Sequence, residues 1–228
     1  MRLALGHDEK LQWLPAVRAC AILERPDHDQ VFLRSHVIEG SAALRTLVRS
    51  SPWHMRVLTT LRDVRLPDAW VGAGVVRDLV WGELYGSGFQ PSAVRDIDVA
   101  YFDPDDLSRE RDDRATRELW AAWPDQPWEA KNQAAVHTWY EAKFGNAAEP
   151  LGSVAEAIAT WPETATTVGV RLDGSGEIQV LAPLGLDDLM GGVWRRNPRR
   201  VSVERSLERL ARHRPADRWP GVRVVPPI

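Results

Sequence analysis

The chain has almost no cysteine and very little lysine. Cys20 is the only cysteine among 228 residues, so an intramolecular disulfide is excluded. Chains without disulfides are typical of reducing compartments, and we expect this protein to be cytoplasmic. Lysine occurs only at positions 10, 131 and 143, and arginine supplies the rest of the basic side chains. Because a GC-rich genome produces the same bias, the arginine content alone is weak evidence for phosphate binding.

Long apolar runs are also absent. No segment approaches the roughly 20 apolar residues of a membrane-spanning helix, and the N-terminus lacks the basic-then-apolar pattern of a signal peptide. We therefore expect no membrane partner. The net charge of −3 gives the whole chain no attraction to nucleic acid or to an anionic membrane. A composition of 44% hydrophobic and 27% charged residues is typical of a soluble globular protein.

The N-terminal part of the chain is predicted to be mostly helical. Residues 8–24 show helical apolar spacing that Pro15 interrupts, which predicts a kinked or split helix. Residues 28–36 predict either a short strand or a connector. Two helices are expected over 41–49 and 52–63, and the second follows a Ser-Pro pair that is typical of helix starts.

Further along, predicted strands and helices alternate. Asp103, Asp105 or Asp106 is expected to cap the polar helix that ends near Trp123. This order predicts an α/β (α+β) fold with a mixed central sheet, N-terminal helices and a later β-hairpin. The segments are a strand over 66–74 that stops at glycines, a helix over 75–85, a strand around 96–102, the polar helix, a strand over 127–133, a hairpin over 166–183 turning at 173–176, and an amphipathic helix over 202–214.

Two aspartates interrupt an otherwise apolar strand. In VRDIDVAYFD (94–103), Asp96 and Asp98 share one face, because side chains alternate along a strand, while Ile97 and Val99 point to the other. Like charges held side by side and partly out of water repel each other unless a cation lies between them. A solvated edge strand is the alternative, but the apolar neighbours favour a central strand and a divalent metal site.

A Gly-x-Gly turn precedes this strand. In WVGAGVVRD (70–78), Gly72, Ala73 and Gly74 join a predicted strand to a predicted helix. Such a turn allows close approach to a phosphate, and the free N–H groups of the helix N-terminus attract anions. An ordinary tight turn fits the pattern equally well. A dinucleotide-binding unit is a rival, but Arg77 stands where a third glycine is needed, and the second aspartate would have no explanation.

A third carboxylate lies on the strand predicted over 127–133. Glu129, Lys131 and Gln133 share one face of this strand, which could lie beside the aspartate pair. Glu129 taken alone is indistinguishable from an ordinary residue on the surface of a strand.

Taken together, these motifs resemble the nucleotidyltransferases of the DNA polymerase beta superfamily. VGAGVVRDLVWG followed by VRDIDVAYFD is similar to their Gly-Gly or Gly-Ser turn on a helix, their Asp-x-Asp strand and a third carboxylate. AGVVRDLVWG is also similar to a motif of tRNA nucleotidyltransferases and bacterial poly(A) polymerases. A small bacterial nucleotidyltransferase-like group resembles the chain more closely, through LPDAWVGAGVVRD, DIDVAYFD, WEAKNQAAVH, WPETATTVGVRL and APLGLDDL.

The resemblance covers about residues 41–215 and implies a nucleotidyltransferase fold. We therefore expect one domain over residues 1–228, with a core over 41–215 and a helical N-terminal extension over 1–40. The 21 residues between Gly74 and Asp96 exceed the usual spacing in the superfamily, which implies a longer helix and loop.

The activity implied by the resemblance is the transfer of a nucleoside monophosphate from an NTP to a hydroxyl acceptor, with Mg²⁺ or Mn²⁺ as cofactor. The acceptor could be an RNA end, a protein or a small molecule. By resemblance, Asp96 and Asp98 bind the metal ions, and Glu129 completes the metal site or acts as the base. The residues implied for nucleotide binding are Gly72, Ala73, Gly74, Arg77, Lys131, Asn132 and Gln133.

Several of these residues have a structural alternative. Arg77 could form an ion pair near Asp78, and Lys131 could simply screen the carboxylates. Asn132, Gln133 and His137 could be polar packing residues rather than the frame of a pocket.

Alternatives also exist for the protein as a whole. A catalytically inactive nucleotide- or partner-binding module on the same fold is the competing function, although the intact Asp-Ile-Asp favours an enzyme. The basic run RRNPRR (195–200), together with the helix that follows it, could hold an RNA or nucleotide tail, but such runs are more often solvated surfaces. The six histidines show no paired ligand spacing, so no zinc site is expected.

Overall fold

The structure, a computed structural model, describes residues 28–228, with side chains from Glu39 onward. The helix predicted over 8–24 lies outside the described residues. Residues 28–36 are helical and begin α1 (His28–Ser50), so the prediction of a strand or connector was wrong. Nine residues are too few to separate a helical period from a strand period. Helix α1 also runs through residue 40, where the N-terminal extension was expected to end.

Helices and strands alternate through the rest of the chain. The helices are α2 (Pro52–Val64), α3 (Gly74–Tyr85), α4 (Arg109–Ala122), α5 (Val136–Phe144), α6 (Val154–Ile158), α7 (Asp187–Met190), α8 (Val203–His213) and α9 (Pro215–Arg218). The strands are β1 (Trp70–Gly72), β2 (Ile97–Tyr101), β3 (Trp128–Asn132), β4 (Gly169–Leu172), β5 (Ile178–Leu181), β6 (Val193–Trp194) and β7 (Arg223–Val224). Single 3₁₀ turns cover Pro91–Ala93, Gln133–Ala135 and Thr164–Thr166. None of the helices described over residues 28–228 is long and apolar enough to cross a membrane.

Helix starts follow the local sequence. Ser51 caps α2 by accepting the backbone N–H of His54, with Pro52 at the first helical position as predicted. The cap of α4 is Ser108, whose hydroxyl accepts the N–H of Arg111, so the prediction of an aspartate cap was wrong. Asp106 instead accepts both the N–H and the hydroxyl of Ser108, and thereby orients the capping side chain.

The central sheet has the strand order β3-β2-β1-β4-β5, and only the β2–β3 pair is parallel. The hairpin β4–β5 confirms the one predicted from the sequence: the Asp173 carboxylate accepts the N–H groups of Ser175 and Glu177 in its turn. Strands β6 and β7 form a separate parallel pair. The mixed sheet confirms the predicted fold class.

The orientation of β1 and β2 excludes the dinucleotide-binding alternative. A βαβ unit of that kind needs two parallel strands on either side of its helix. Here β1 and β2, which flank α3, are antiparallel, with Trp70 opposite Ala100 and Val71 opposite Val99.

The two faces of the sheet are covered unequally. A large core with members from Leu44 to Val222 packs on one face and includes Val71, Ile97 and Val99. The other face carries a small cluster of Trp70, Ala100, Val154 and Ile158. Because Ala100 follows Asp98 by two residues, the aspartate pair lies on this thinly covered face, where a cavity remains.

Candidate active site

Three carboxylates meet at one cavity of about 720 Å³. Asp98 lies on β2 and Asp96 directly precedes this strand, with the buried Ile97 between them. In the parallel pairing of β2 with β3, Asp98 is opposite Glu129. Adjacent strands are about 4.8 Å apart, so the third carboxylate is a direct neighbour of the pair. Asp96, Asp98 and Glu129 all line the cavity, and the alternation predicted from the sequence produces this arrangement.

Burial and mutual repulsion disfavour the ionised aspartates. Burial, followed by the charges of Asp96 and Glu129, raises the pKa of Asp98 from 3.8 to about 7. Burial and the charges of Glu129 and Asp78 also raise the pKa of Asp96. A bound cation relieves repulsion of this kind, because it favours the charged form of each carboxylate.

The carboxylates offer only hard oxygen donors, which suit Mg²⁺ or Mn²⁺. Among the described residues, no group of three or more His, Cys, Asp or Glu side chains is gathered closely enough to hold a metal ion. The Glu129 carboxylate lies 3.7 Å from Lys131 Nζ, and both side chains are about half exposed. The donor pair that fits a divalent ion is therefore Asp96 with Asp98, and Glu129 can join them only by turning away from Lys131.

The three residues of the Gly-x-Gly turn have different structural roles. A Cβ on Gly72 would lie 2.4 Å from the Val168 carbonyl oxygen and 2.7 Å from the Trp161 ring, so glycine is required there for packing. Ala73 has φ +54° and ψ −126°, a conformation that favours glycine, and its N–H donates to Val168. Gly74 lines the cavity; a Cβ on it would lie 4.0 Å from Asp96 Oδ1.

The N-terminus of α3 presents unpaired amides beside the aspartates. No side chain caps this helix, and its first backbone bond runs from the Arg77 N–H to the Ala73 carbonyl. The N–H groups of Gly74, Val75 and Val76 therefore lack intrahelical partners. Of the predicted residues Gly72, Ala73 and Gly74, the last has a free N–H that lines the cavity, and Val75 adds a second one. Gly72 itself does not line the cavity.

Arg77 lines the cavity, but its guanidinium already binds a neighbouring carboxylate. Its guanidinium binds Asp78 at 2.6 Å and 3.0 Å, and Asp78 also accepts from Arg218. The ion pair with Asp78, which the sequence offered as the structural alternative for Arg77, is thus present. Its guanidinium lies over three indole rings at 5.3–5.7 Å, those of Trp81, Trp194 and Trp219.

The remaining sequence candidates separate into two groups. Lys131 and Gln133 line the cavity. Asn132 is fully buried outside it: its amide donates to the carbonyls of Asp103 and Asp106 and its oxygen accepts the Ala134 N–H, which holds the loop after β2. His137 also lies outside the cavity lining. We therefore leave Asn132 and His137 out of the proposed ligand contacts.

The sequence offered the helix after the basic run 195–200 as part of a surface for an RNA or nucleotide tail, but it did not predict that arginines of this helix line the carboxylate cavity. Arg205, Arg209 and Arg212 of α8 line it, and their spacing of four and three residues on one helix face was the available signal. Arg209 anchors the helix by a two-point bond to the buried Glu163, at 2.6 Å and 3.0 Å. Burial and the charges of Arg77 and Arg209 lower the pKa of His213 to about 3, so this ring is neutral near pH 7.

Comparison with known proteins agrees with this geometry. A sequence-family model described as "Nucleotidyltransferase" matches residues 59–224. A search of curated proteins finds no match. Among solved structures, the chain is similar to one described by the words "The NMR structure of the protein reveals a CCA-adding enzyme head domain", with 30% sequence identity and a TM-score of 0.66. The match covers 80% of this chain and 94% of that chain.

Proposed function

Because the chain belongs to the nucleotidyltransferase family, we propose that it transfers a nucleoside monophosphate from an NTP to a hydroxyl acceptor with the help of Mg²⁺ or Mn²⁺. The observation that carries the proposal is the meeting of two opposite features in one cavity. The carboxylates of Asp96 and Asp98 suit a divalent cation, and the free amides at the start of α3 suit a phosphate.

Each group has a role that follows from its position. Asp96 and Asp98 hold the metal, which when bound offsets phosphate charge and lowers the pKa of a hydroxyl. The amides of Gly74 and Val75, which line the cavity, donate to the phosphate oxygens of the NTP. Glu129, at the exposed side of the site, accepts the proton of the acceptor hydroxyl or completes the metal site. Lys131 and Gln133 line the same cavity and contact the nucleotide.

The test is release of pyrophosphate together with transfer of label. The purified protein is incubated with each NTP labelled at the α-phosphate, with Mg²⁺ or Mn²⁺, and with cell extract as the source of acceptor. We expect a labelled product and pyrophosphate for the wild type and neither for Asp98→Asn. Asp113→Asn, which changes an exposed aspartate on α4 outside the cavity, is the matched control and should match the wild type.

Two results would change the conclusion. Metal-dependent NTP binding without pyrophosphate release, over a broad set of acceptors, would identify the protein as a nucleotide-binding module. Turnover that Asp98→Asn leaves intact would place the chemistry elsewhere.

A further inference from the structure

The charge of the cavity is opposite to that of the chain. Although the net charge of the protein is −3, nine cationic side chains line this cavity against four carboxylates. The carboxylates are Asp78, Asp96, Asp98 and Glu129, and the cations are Arg77, Arg95, Lys131, Lys143, Arg200, Arg205, Arg209, Arg212 and Arg218. The cations therefore exceed what the carboxylates can neutralise, and they are concentrated where a polyanion would lie.

Part of this positive charge has no structural use within the described residues. Arg77, Arg209 and Arg218 are bound to Asp78 or Glu163, and Arg205 forms an exposed ion pair with Glu208 on its own helix. Lys143 and Arg200, by contrast, form no ion pair with any described carboxylate. Lys143 lies on α5, and the Arg200 guanidinium lies over the Tyr140 ring of the same helix. A cation that no carboxylate needs is free to contact a ligand phosphate.

Aromatic rings of α5 stand beside these cations. Val136 is the only buried residue of this helix, and Trp139, Tyr140 and Phe144 belong to neither hydrophobic core, yet all three line the cavity. The rings of Tyr140 and Phe144 are 4.6 Å apart. Rings that are not needed for packing are available for stacking with a planar ligand.

The cations and the rings form one mixed surface. The Arg200 guanidinium lies 4.8 Å over the Tyr140 ring, and the Arg205 guanidinium lies 5.2 Å over the Phe144 ring. We call the set Tyr140, Lys143, Phe144, Arg200 and Arg205 the stacking wall. Alternation of aromatic faces with guanidinium groups is the surface that suits nucleobases joined by phosphates.

The stacking wall continues beyond the cavity. A second cavity of about 520 Å³ shares Tyr140, Asn146 and Arg200 with the first, and adds Arg196 and Arg199. The lined space therefore continues from the carboxylates, past the stacking wall, to Arg199; Arg196 beside it is bonded to the Val201 and Ile228 carbonyls, and Glu149 also lines this second cavity. One NTP does not need this extension, and a mononucleotide acceptor would leave it unused.

We propose that the stacking wall binds the end of a single-stranded polynucleotide, RNA or DNA, whose 3′-hydroxyl is the acceptor. This inference rests on the proposed function. The 3′ oxygen forms a bond to the α-phosphorus of the NTP, the bond from that phosphorus to the β-phosphate oxygen breaks, and pyrophosphate leaves. The hydroxyl proton passes to a carboxylate of the site and then to water. The strand grows by one nucleotide, and no oxidant or reductant takes part.

The test is fluorescence anisotropy with end-labelled 12-residue single strands of RNA and of DNA, and with a duplex of the same sequence. Stacking of a base on an aromatic ring contributes about 1–3 kcal/mol. We therefore expect Tyr140→Ala and Arg200→Ala each to weaken binding of a single strand by about tenfold or more. The affinity should fall with rising salt, and the decrease should be smaller for Arg200→Ala because one phosphate contact is missing. The duplex should bind more weakly than the strand.

Matched control variants lie outside the groove. Arg62→Ala removes an exposed arginine that pairs with Asp63, and Trp120→Ala removes an exposed tryptophan of α4. Both should bind the strands within about twofold of the wild type. Comparison of the RNA and DNA arms identifies which polynucleotide is preferred.

Two outcomes contradict the inference. One is equal loss of binding in the control and stacking-wall variants. The other is label transfer to a product that resists nuclease, either a protein that protease destroys or a small molecule; in that case the proposed function stands and the polynucleotide acceptor fails. Absence of pyrophosphate release with every acceptor, despite specific strand binding through Tyr140 and Arg200, would instead leave the binding site standing and overturn the transfer activity.

Discussion

At the scale of single residues, Asp98 holds a carboxylate largely out of water beside two others. Its folded pKa of about 7 lies above the ordinary 3.8, so ionisation of Asp98 costs stability. This loss of stability is absent below about pH 4. It grows as the pH rises from 4 to 7 and is complete above pH 7. A residue kept in this state at a cavity is typical of a functional site.

Replacement of Asp98 by asparagine should therefore stabilise the metal-free protein. At pH 8 we expect the free energy of unfolding of Asp98→Asn to exceed that of the wild type by about 1 kcal/mol, since part of the carboxyl remains hydrated. The difference should vanish at pH 4. Denaturant titrations at the two pH values measure it, with Asp113→Asn as the control. A clear loss of stability in Asp98→Asn at pH 8 would show that the carboxylate is structural.

The backbone conformation of Ala73 leads to a second prediction at the residue scale. Its backbone, with φ +54° and ψ −126°, is in a conformation that is strained for a residue with a Cβ and that glycine adopts at little cost. Ala73→Gly should increase the free energy of unfolding by about 1 kcal/mol. The same change at Ala115, in the middle of α4, should decrease it by about 1 kcal/mol. Chemical denaturation of the two variants checks the contrast, and a loss at both positions would contradict it.

The positions of site residues could be predicted from the sequence where they depend only on neighbours along the chain. The strict alternation of a strand places Asp96 and Asp98 on one face of β2. The position of Glu129 beside them depends also on the pairing of β3 with β2, which the sequence could only suggest. The ion pair of Arg77 with Asp78 is also local, and the sequence offered it as an alternative. The burial of Asn132 could not be read in this way, because its amide bonds to the distant residues Asp103 and Asp106.

At the scale of elements, the neutral side chain of His54 connects α2 to α3 by a hydrogen bond. Its Nε2 donates to the Val75 carbonyl at 3.2 Å, while its Nδ1 accepts from the Ser51 hydroxyl at 2.9 Å. Burial lowers the pKa of this ring from 6.5 to about 4. Protonation would add a donor at Nδ1, where the native contact needs an acceptor.

This contact makes the join between the two helices sensitive to acid. The pKa of His54 in the folded protein is below its unfolded value. The stabilisation that the neutral ring contributes is therefore complete above pH 6.5 and is lost as the pH falls toward 4. We expect the wild type to lose about 3 kcal/mol more than His54→Gln over this interval. Unfolding free energies measured from pH 7 to pH 4 give the two slopes. Equal slopes would show that His54 does not bind protons differently in the folded state.

Element boundaries were predictable where a helix start is marked by its own residues. The Ser-Pro start of α2 and the turn of the β4–β5 hairpin are of this kind. The cap of α4 was missed because four candidate oxygens lie within six residues, and the choice of Ser108 depends on Asp106 holding its hydroxyl. The antiparallel pairing of β1 with β2 could not be derived at all from local pattern, because pairing is a long-range property.

At the scale of the whole molecule, charge is separated between the surface and the cavity. The net charge of −3 gave no reason to expect a binding site for anions, yet arginines from four parts of the chain meet around the carboxylates. Composition averages over the chain, so it cannot report such a concentration. The extent of the domain over residues 1–228 stays a prediction, since residues 1–27 lie outside the described structure.

The central claim is that the cavity binds a metal–NTP complex through Asp96 and Asp98. The most direct measurement is the melting temperature of the wild type and of Asp98→Asn, with and without Mg²⁺ and a non-hydrolysable NTP analogue at about 100 times its dissociation constant. Without ligand, Asp98→Asn should melt at the same temperature as the wild type or higher. With ligand, the wild type should rise by roughly 5–10 °C and overtake the variant, which should hardly shift. A wild type that does not respond to the ligand, together with an Asp98→Asn variant that melts lower without it, would contradict the claim.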